Sequence, residues 1–230
     1  MLKKITKLIF LIITLTIMGC GISSRSVIID GVEYMELVKK YENGNIEFVG
    51  HMRNQALNGP VTYYFENGVI RAKGEFLNGQ RQLVWVWNYE NGQKKNEYFY
   101  INDLAEGEWR KYYEYGTIKI IGIYENGKKN GLEKLFYNTG ELMSIRNYLN
   151  GETHGEYKLF HKSSKLQIQG MYNNGNPSGK WIEYDEQDKV IKLTQYDKNG
   201  IEILEYQKDY LYKLRSVSMP FEKIRLIHEN

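Results

Sequence analysis

From about residue 35 to residue 203 the chain runs in short stretches of alternating apolar and polar residues, separated by turn-forming pairs. Glu108 to Tyr113 is one such stretch, Tyr115-Gly116 is a turn, and Thr117 to Tyr124 is the next stretch. Glu125-Asn126-Gly127 then opens a connection. Alternation with period two sends successive side chains to opposite faces of a strand. It places Trp109, Tyr113, Ile118, Ile120 and Tyr124 on one face, and Glu108, Arg110 and Lys119 on the other. The predicted unit is strand, tight turn, strand, longer turn.

The unit repeats. Gly44, Gly68, Gly92, Gly116 and Gly140 stand 24 residues apart, and Ser164 and Asp188 continue their column. Gly59, Gly107, Gly131, Gly155 and Gly179 form a second column, broken by Leu83. Gly50, Gly74, Gly122 and Gly170 form a third, broken by Tyr98, Arg146 and Thr194. Phe76, Tyr100, Tyr124, Tyr148, Tyr172 and Tyr196 make an aromatic column. Seven repeats follow without an insertion, and self-similarity at such a period marks a repeat architecture. The fold class expected is all-β: an elongated, repetitive antiparallel β-meander of seven 24-residue, two-stranded repeats, with Val27 to Tyr34 capping one end and a strand pair after Ile201 closing the other.

Asn-Gly in the tight turn predicts a two-residue type I′ hairpin, both residues at positive φ. With Asn67 and Gly68 as the loop, Glu66 faces Val69, Val61 faces Gly74 and Gly59 faces Phe76. Carried along the period, Trp109 and Tyr157 face Gly122 and Gly170, and Gly107 and Gly131 face Tyr124 and Tyr148. Glycines thus lie opposite large rings, an arrangement that lets the ring cover bare backbone. Where the glycines are missing, Leu83 faces Tyr100, Trp85 faces Tyr98, and Glu133 faces Arg146, which are apolar or opposite-charge pairs.

The first twenty residues follow a different pattern. Lys3, Lys4 and Lys7 precede an apolar run from Leu8 to Met18. A membrane-spanning helix needs roughly 20 apolar residues, so the run reads as the core of a signal peptide. Its end, Ile17-Met18-Gly19-Cys20, resembles the lipobox of bacterial lipoproteins. That resemblance implies cleavage of residues 1–19 and acylation, including a palmitate-type chain, at Cys20. Residues 20–26 would be lipidated cysteine and tether, 27–34 an N-terminal cap, 35–203 the repeats, and 204–230 a C-terminal cap and tail. The location implied is the cell envelope, lipid-anchored: the outer membrane where there is one, otherwise the extracytoplasmic face of the cell membrane.

Composition adds exclusions. Twenty Tyr, four Trp and 22 Gly suit short strands with tight turns, and a single Cys rules out an internal disulfide framework. The three lysines before Leu8 account for the whole excess of 31 basic over 28 acidic residues. Residues 20–230 are therefore near neutrality, which gives nucleic-acid binding through bulk charge no support. His51, His154, His161 and His228 have no metal-ligand spacing among themselves, and no nucleophile motif is present. No catalytic residue, metal or cofactor is expected. The third repeat holds the densest ring cluster, so Trp85, Trp87, Tyr89, Tyr98 and Tyr100, with Trp109, are the candidate interaction surface.

Gly107-Glu108-Trp109, Gly122-Ile123-Tyr124 and Glu125-Asn126-Gly127-Lys128 resemble MORN repeats, and more closely the bacterial variant grouped as YwqK-type antitoxin repeats. The resemblance covers about residues 35–203. It implies antiparallel sheets that serve as scaffolds for proteins or lipids, and for the bacterial variant an antitoxin role. The expected function is a membrane-anchored interaction scaffold with a protein partner. The alternatives are an immunity or antitoxin protein whose partner is an envelope-acting toxin, and a cell-wall glycan or lipid binder.

Overall fold

A computed structural model describes residues 21–207, which divide into an N-terminal body ending at Lys128 and a C-terminal body beginning at Lys129. Every regular element described is a β-strand. In the N-terminal body, strands from Ile22–Ile29 to Ile118–Glu125 pair antiparallel in sequence order, except that Ala56–Leu57 and Gly59–Tyr64 both pair with Ile46–Arg53. The C-terminal body pairs antiparallel in sequence order from Gly131–Phe136 to Glu202–Gln207. Residues 22–26, expected as tether, already belong to the strand Ile22–Ile29, which pairs along its length with Val32–Lys40.

The two kinds of turn are exchanged relative to the sequence expectation. The connections between repeats are the two-residue type I′ turns: Asn78 and Gly79 have φ of +52° and +81°, and Leu77 pairs with Gln80 across them. At the turn after Tyr64, only Gly68 has positive φ (+83°). Phe65 N–H donates to Val69 O (2.8 Å) and Gly68 N–H to Phe65 O (2.9 Å), a three-residue loop ending in a left-handed glycine. Asn67 contributes through its side chain, whose Oδ1 accepts from Val69 N–H at 3.0 Å. Glu66 therefore does not face Val69; Phe65 does.

The expected register nevertheless holds further along the hairpin. Tyr64 pairs with Ile70 and Tyr63 with Ala72, so Arg71 is an extra residue bulged out of the second strand. The odd loop and the bulge cancel, leaving Val61 opposite Gly74 and Gly59 opposite Phe76. The pairs Trp109–Gly122, Gly107–Tyr124, Gly131–Tyr148, Tyr157–Gly170, Leu83–Tyr100, Trp85–Tyr98 and Glu133–Arg146 are likewise in place. The bulge overturns two face assignments. Ile118 pairs with Tyr112 and so lies with Glu108 and Arg110, while Lys119, the bulged residue of its hairpin, sets its ammonium 5.3 Å from the Tyr113 ring, on the aromatic face.

Successive repeats are stitched at both kinds of turn. Tyr41, Tyr89 and Tyr137 hydroxyls donate to Tyr64, Tyr112 and Phe160 carbonyls, each 23 residues ahead, at 2.6–2.9 Å. His161 fills the same column, with Nε2 3.1 Å from Tyr184 O. At the type I′ turns, Gly79, Gly127 and Gly175 N–H groups donate back to Leu57, Ala105 and Thr153 carbonyls. These bonds satisfy turn backbone that would otherwise rely on water.

A second irregularity separates repeats. Gly107, Gly155 and Gly179 stand at φ of +69°, +83° and +67° inside their strands, each within a bulge of three residues against one. Leu83 occupies that position in the third repeat at φ +58°. A leucine there is strained by about 1–2 kcal/mol. Its side chain is 49% exposed, so little burial offsets the strain. Leu83→Gly should raise stability by about 1 kcal/mol, read as a Tm increase of about 2–4 °C; an unchanged or lower Tm would mean that Leu83 packing outweighs its backbone cost.

Candidate functional site

The candidate surface residues fall in the N-terminal body, where the three-to-one bulge decides how they lie. In the third repeat it carries Trp85 over Gly74 on the adjacent strand. A Cβ on Gly74 would stand 2.3 Å from the indole, so only glycine admits the ring. Trp85 Nε1 donates to Glu75 O at 3.1 Å. In the C-terminal body Trp181 repeats the device over Gly170, with Nε1 donating to Met171 O at 3.2 Å. The sequence register pairs Gly74 with Val61 and Gly170 with Tyr157, so in both cases the covering ring comes from the next strand. Trp109 instead covers its own hairpin partner, Gly122.

The rings form a chain of contacts. Centroids lie 5.1 Å apart for Phe76–Trp85, 5.6 Å for Trp85–Trp87 and 5.8 Å for Trp87–Tyr98. Tyr98, which replaces a column glycine, stacks parallel on Trp109 at 5.5 Å. Trp85 and Trp109 are 3% and 2% exposed, and Tyr100 is also buried, with the Arg81 guanidinium 4.1 Å above its ring. Burial raises the Tyr100 phenol above its usual range. Trp87, Tyr98 and Tyr89 are half-buried, and the Tyr89 hydroxyl is engaged in stitching. The structure thus links Trp85, Trp87, Tyr98, Tyr100 and Trp109 through ring contacts along one face, with Trp85, Tyr100 and Trp109 as its packed spine, while Tyr89 lies at the turn end of its strand outside those contacts. Cys20 lies outside the described residues.

The opposite face was missed. Val84 pairs with Phe99, and Ile101 pairs with Leu104 across the Asn102-Asp103 turn, on the side of the sheet away from Trp85. Val84, Ile101 and Leu104 are 50%, 47% and 50% exposed. The only sequence signal was the coincidence of apolar residues with positions filled by Glu108, Lys180 or Glu125 in other repeats. Carboxylates surround the cluster. Glu75, Glu97, Glu106 and Glu108 take this face, where Glu97 is bound by Lys94 and Arg110. These contacts, the Lys94 hydrogen bond foremost, hold the Glu97 carboxyl below its ordinary range.

His51 Nδ1 meets Pro60 O at 2.8 Å, and His161 is part of the stitching. His154 Nδ1 is buried without a hydrogen-bond partner among the described residues. His228 lies outside them. Among the described residues no group of three or more His, Cys, Asp or Glu is placed to hold a metal, and no helix is long and apolar enough to cross a membrane.

The family described as MORN repeat variant matches five consecutive segments, residues 57–78, 81–102, 105–127, 129–150 and 153–174. No curated protein matches the chain. Among solved structures it is similar to a porin-like protein from Bacteroides uniformis, at 8% identity over 80% of this chain and 93% of that one, with a TM-score of 0.22. A likeness that distant carries no argument.

Proposed function

Across residues 57–174 the chain belongs to the MORN repeat variant family, whose repeats mediate protein or membrane interactions, and from that premise we propose that it is a non-catalytic, lipid-anchored scaffold that holds a protein partner. The observation that carries the reading is the exposed cluster of Val84, Ile101 and Leu104 with Phe99 beside it. Apolar side chains that a folded sheet leaves uncovered, rimmed by charge, are the usual mark of an interaction site. The strained Leu83 begins the bulge that presents Val84, and backbone strain gathers at functional positions. Anchoring is supported by the lysine-flanked apolar run and by Cys20 standing two residues before the strand Ile22–Ile29. Acyl chains on that cysteine would hold this edge of the sheet close to the bilayer.

The test is recovery of partners by the full chain from gently solubilised membranes. Wild type should retain one protein in stoichiometric amount. Val84→Thr/Ile101→Thr/Leu104→Thr, which keeps strand propensity, should retain at least tenfold less. Cys20→Ser should shift the chain to the soluble fraction. Full retention by the triple variant would remove the cluster from the reading, and no partner for wild type would sink the scaffold. A secreted or envelope-acting toxin as partner would turn scaffold into immunity protein.

A further inference from the structure

We propose that the aromatic face between Gly59 and Tyr124 is a binding track for an acidic polysaccharide carrying one anionic group per disaccharide. The hairpin within each of the seven repeats bulges one residue out of its second strand: Glu47, Arg71, Lys95, Lys119, Met143, Gln167 and Ile191. In three consecutive repeats that residue is basic. A bulged residue leaves the ladder and its side chain is re-aimed, here onto rings. Arg71 lies 5.8 Å from the Tyr63 centroid, Lys95 5.3 Å from Tyr89, and Lys119 5.3 Å from Tyr113. Lys111, 5.7 Å from the Trp109 centroid, adds a fourth cation on the same face.

The charge on this face is one-sided. Glu75, Glu97, Glu106 and Glu108, the strand carboxylates of the segment, alternate to the other side. Among the described residues none of Arg71, Lys95, Lys111 and Lys119 forms an ion pair, whereas Arg81 is matched by Asp103 at 2.8 Å. Glu66, Glu90 and Glu114 sit at the three-residue turns and bound the track on that side.

Geometry selects the occupant. Equivalent residues of successive repeats are two strands apart, about 10 Å, so the row asks for a chain with an anion at that pitch. Half-buried rings beside each cation offer flat apolar surface on which a sugar ring can lie while an ammonium or guanidinium takes its carboxylate. An acidic peptide fits less well, because its backbone N–H and C=O groups would find no ladder on a sheet face. A lipid surface imposes no fixed pitch. The track lies on the other side of the sheet from Val84 and does not depend on that cluster.

The probe is an oligosaccharide of alternating glucuronate and N-acetylglucosamine, with a neutral chitin oligosaccharide for comparison, titrated calorimetrically into the full chain. Wild type should bind the acidic oligosaccharide and not the neutral one. Arg71→Gln/Lys95→Gln/Lys119→Gln should bind at least tenfold more weakly. Arg71→Lys/Lys95→Arg/Lys119→Arg and the opposite-face variant Lys73→Gln/Arg110→Gln should bind as wild type does. The proposal is overturned if wild type ignores the acidic oligosaccharide, if both Gln variants lose affinity equally, or if wild type binds only anionic phospholipid vesicles.

Discussion

Replacing Gly74 by alanine should destabilise the protein by about 2–3 kcal/mol, the size of an overpacking change in a rigid site. The added methyl would stand 2.3–2.6 Å from three atoms of the Trp85 indole. The ring has nowhere to go. Its Nε1 is tied to Glu75 O, and Phe76 and Trp87 hold its faces and edges. Backbone strain is not involved, since Gly74 has ordinary strand dihedrals and the whole effect comes from the ring. In a Trp85→Leu background the same substitution should therefore cost less than about 1 kcal/mol, a coupling of the size expected for groups in direct contact. Urea denaturation of the four proteins of the cycle checks this. Equal cost in both backgrounds would place the penalty in the backbone and not in the ring.

That coupling shows what could be read from the sequence and what could not. A strict period makes columns, and columns of glycine facing columns of rings give the register without knowledge of any contact. The pairs Gly107–Tyr124 and Trp109–Gly122 follow directly. Two local features stayed hidden because different backbones share one dipeptide. Asn67-Gly68 and Asn78-Gly79 look alike, yet asparagine acts through its side chain in the first and through positive φ in the second. The bulge at Arg71 has no composition of its own, since its column also holds Glu47, Met143 and Ile191. Because that bulge cancels the odd loop, a wrong turn type still yields the right pairs further along the hairpin. The side-chain consequence does not cancel: Lys119 changes face.

The candidate surface was half legible for the same reason. Density of rings located the third repeat, but density alone does not separate a packed spine from an exposed patch. Strand alternation names the face, and only the layout of neighbouring strands says how far each ring is covered. Trp85 lies over bare glycine backbone and is lost to solvent; Val84, one residue earlier and on the other face, is open.

Trp85→Ala should thus act on folding before it acts on binding, with a loss of about 3–5 kcal/mol for a buried indole. Against a total stability of about 5–15 kcal/mol for a domain, that leaves the N-terminal body marginal or unfolded. Thermal melting should show a large fall in Tm, and limited proteolysis should cut first between Gly59 and Tyr124, where Phe76, Trp87, Tyr98 and Tyr100 lose a shared neighbour. Val84→Thr should shift stability by no more than about 0.5 kcal/mol, as surface substitutions do. The pair makes a discriminating set. A partner lost from Trp85→Ala alone reports only an unfolded sheet, whereas one lost from the folded Val84 variant reports a contact. Should Trp85→Ala melt as wild type does, the ring would be a surface group, and the spine assigned to this face would be wrong.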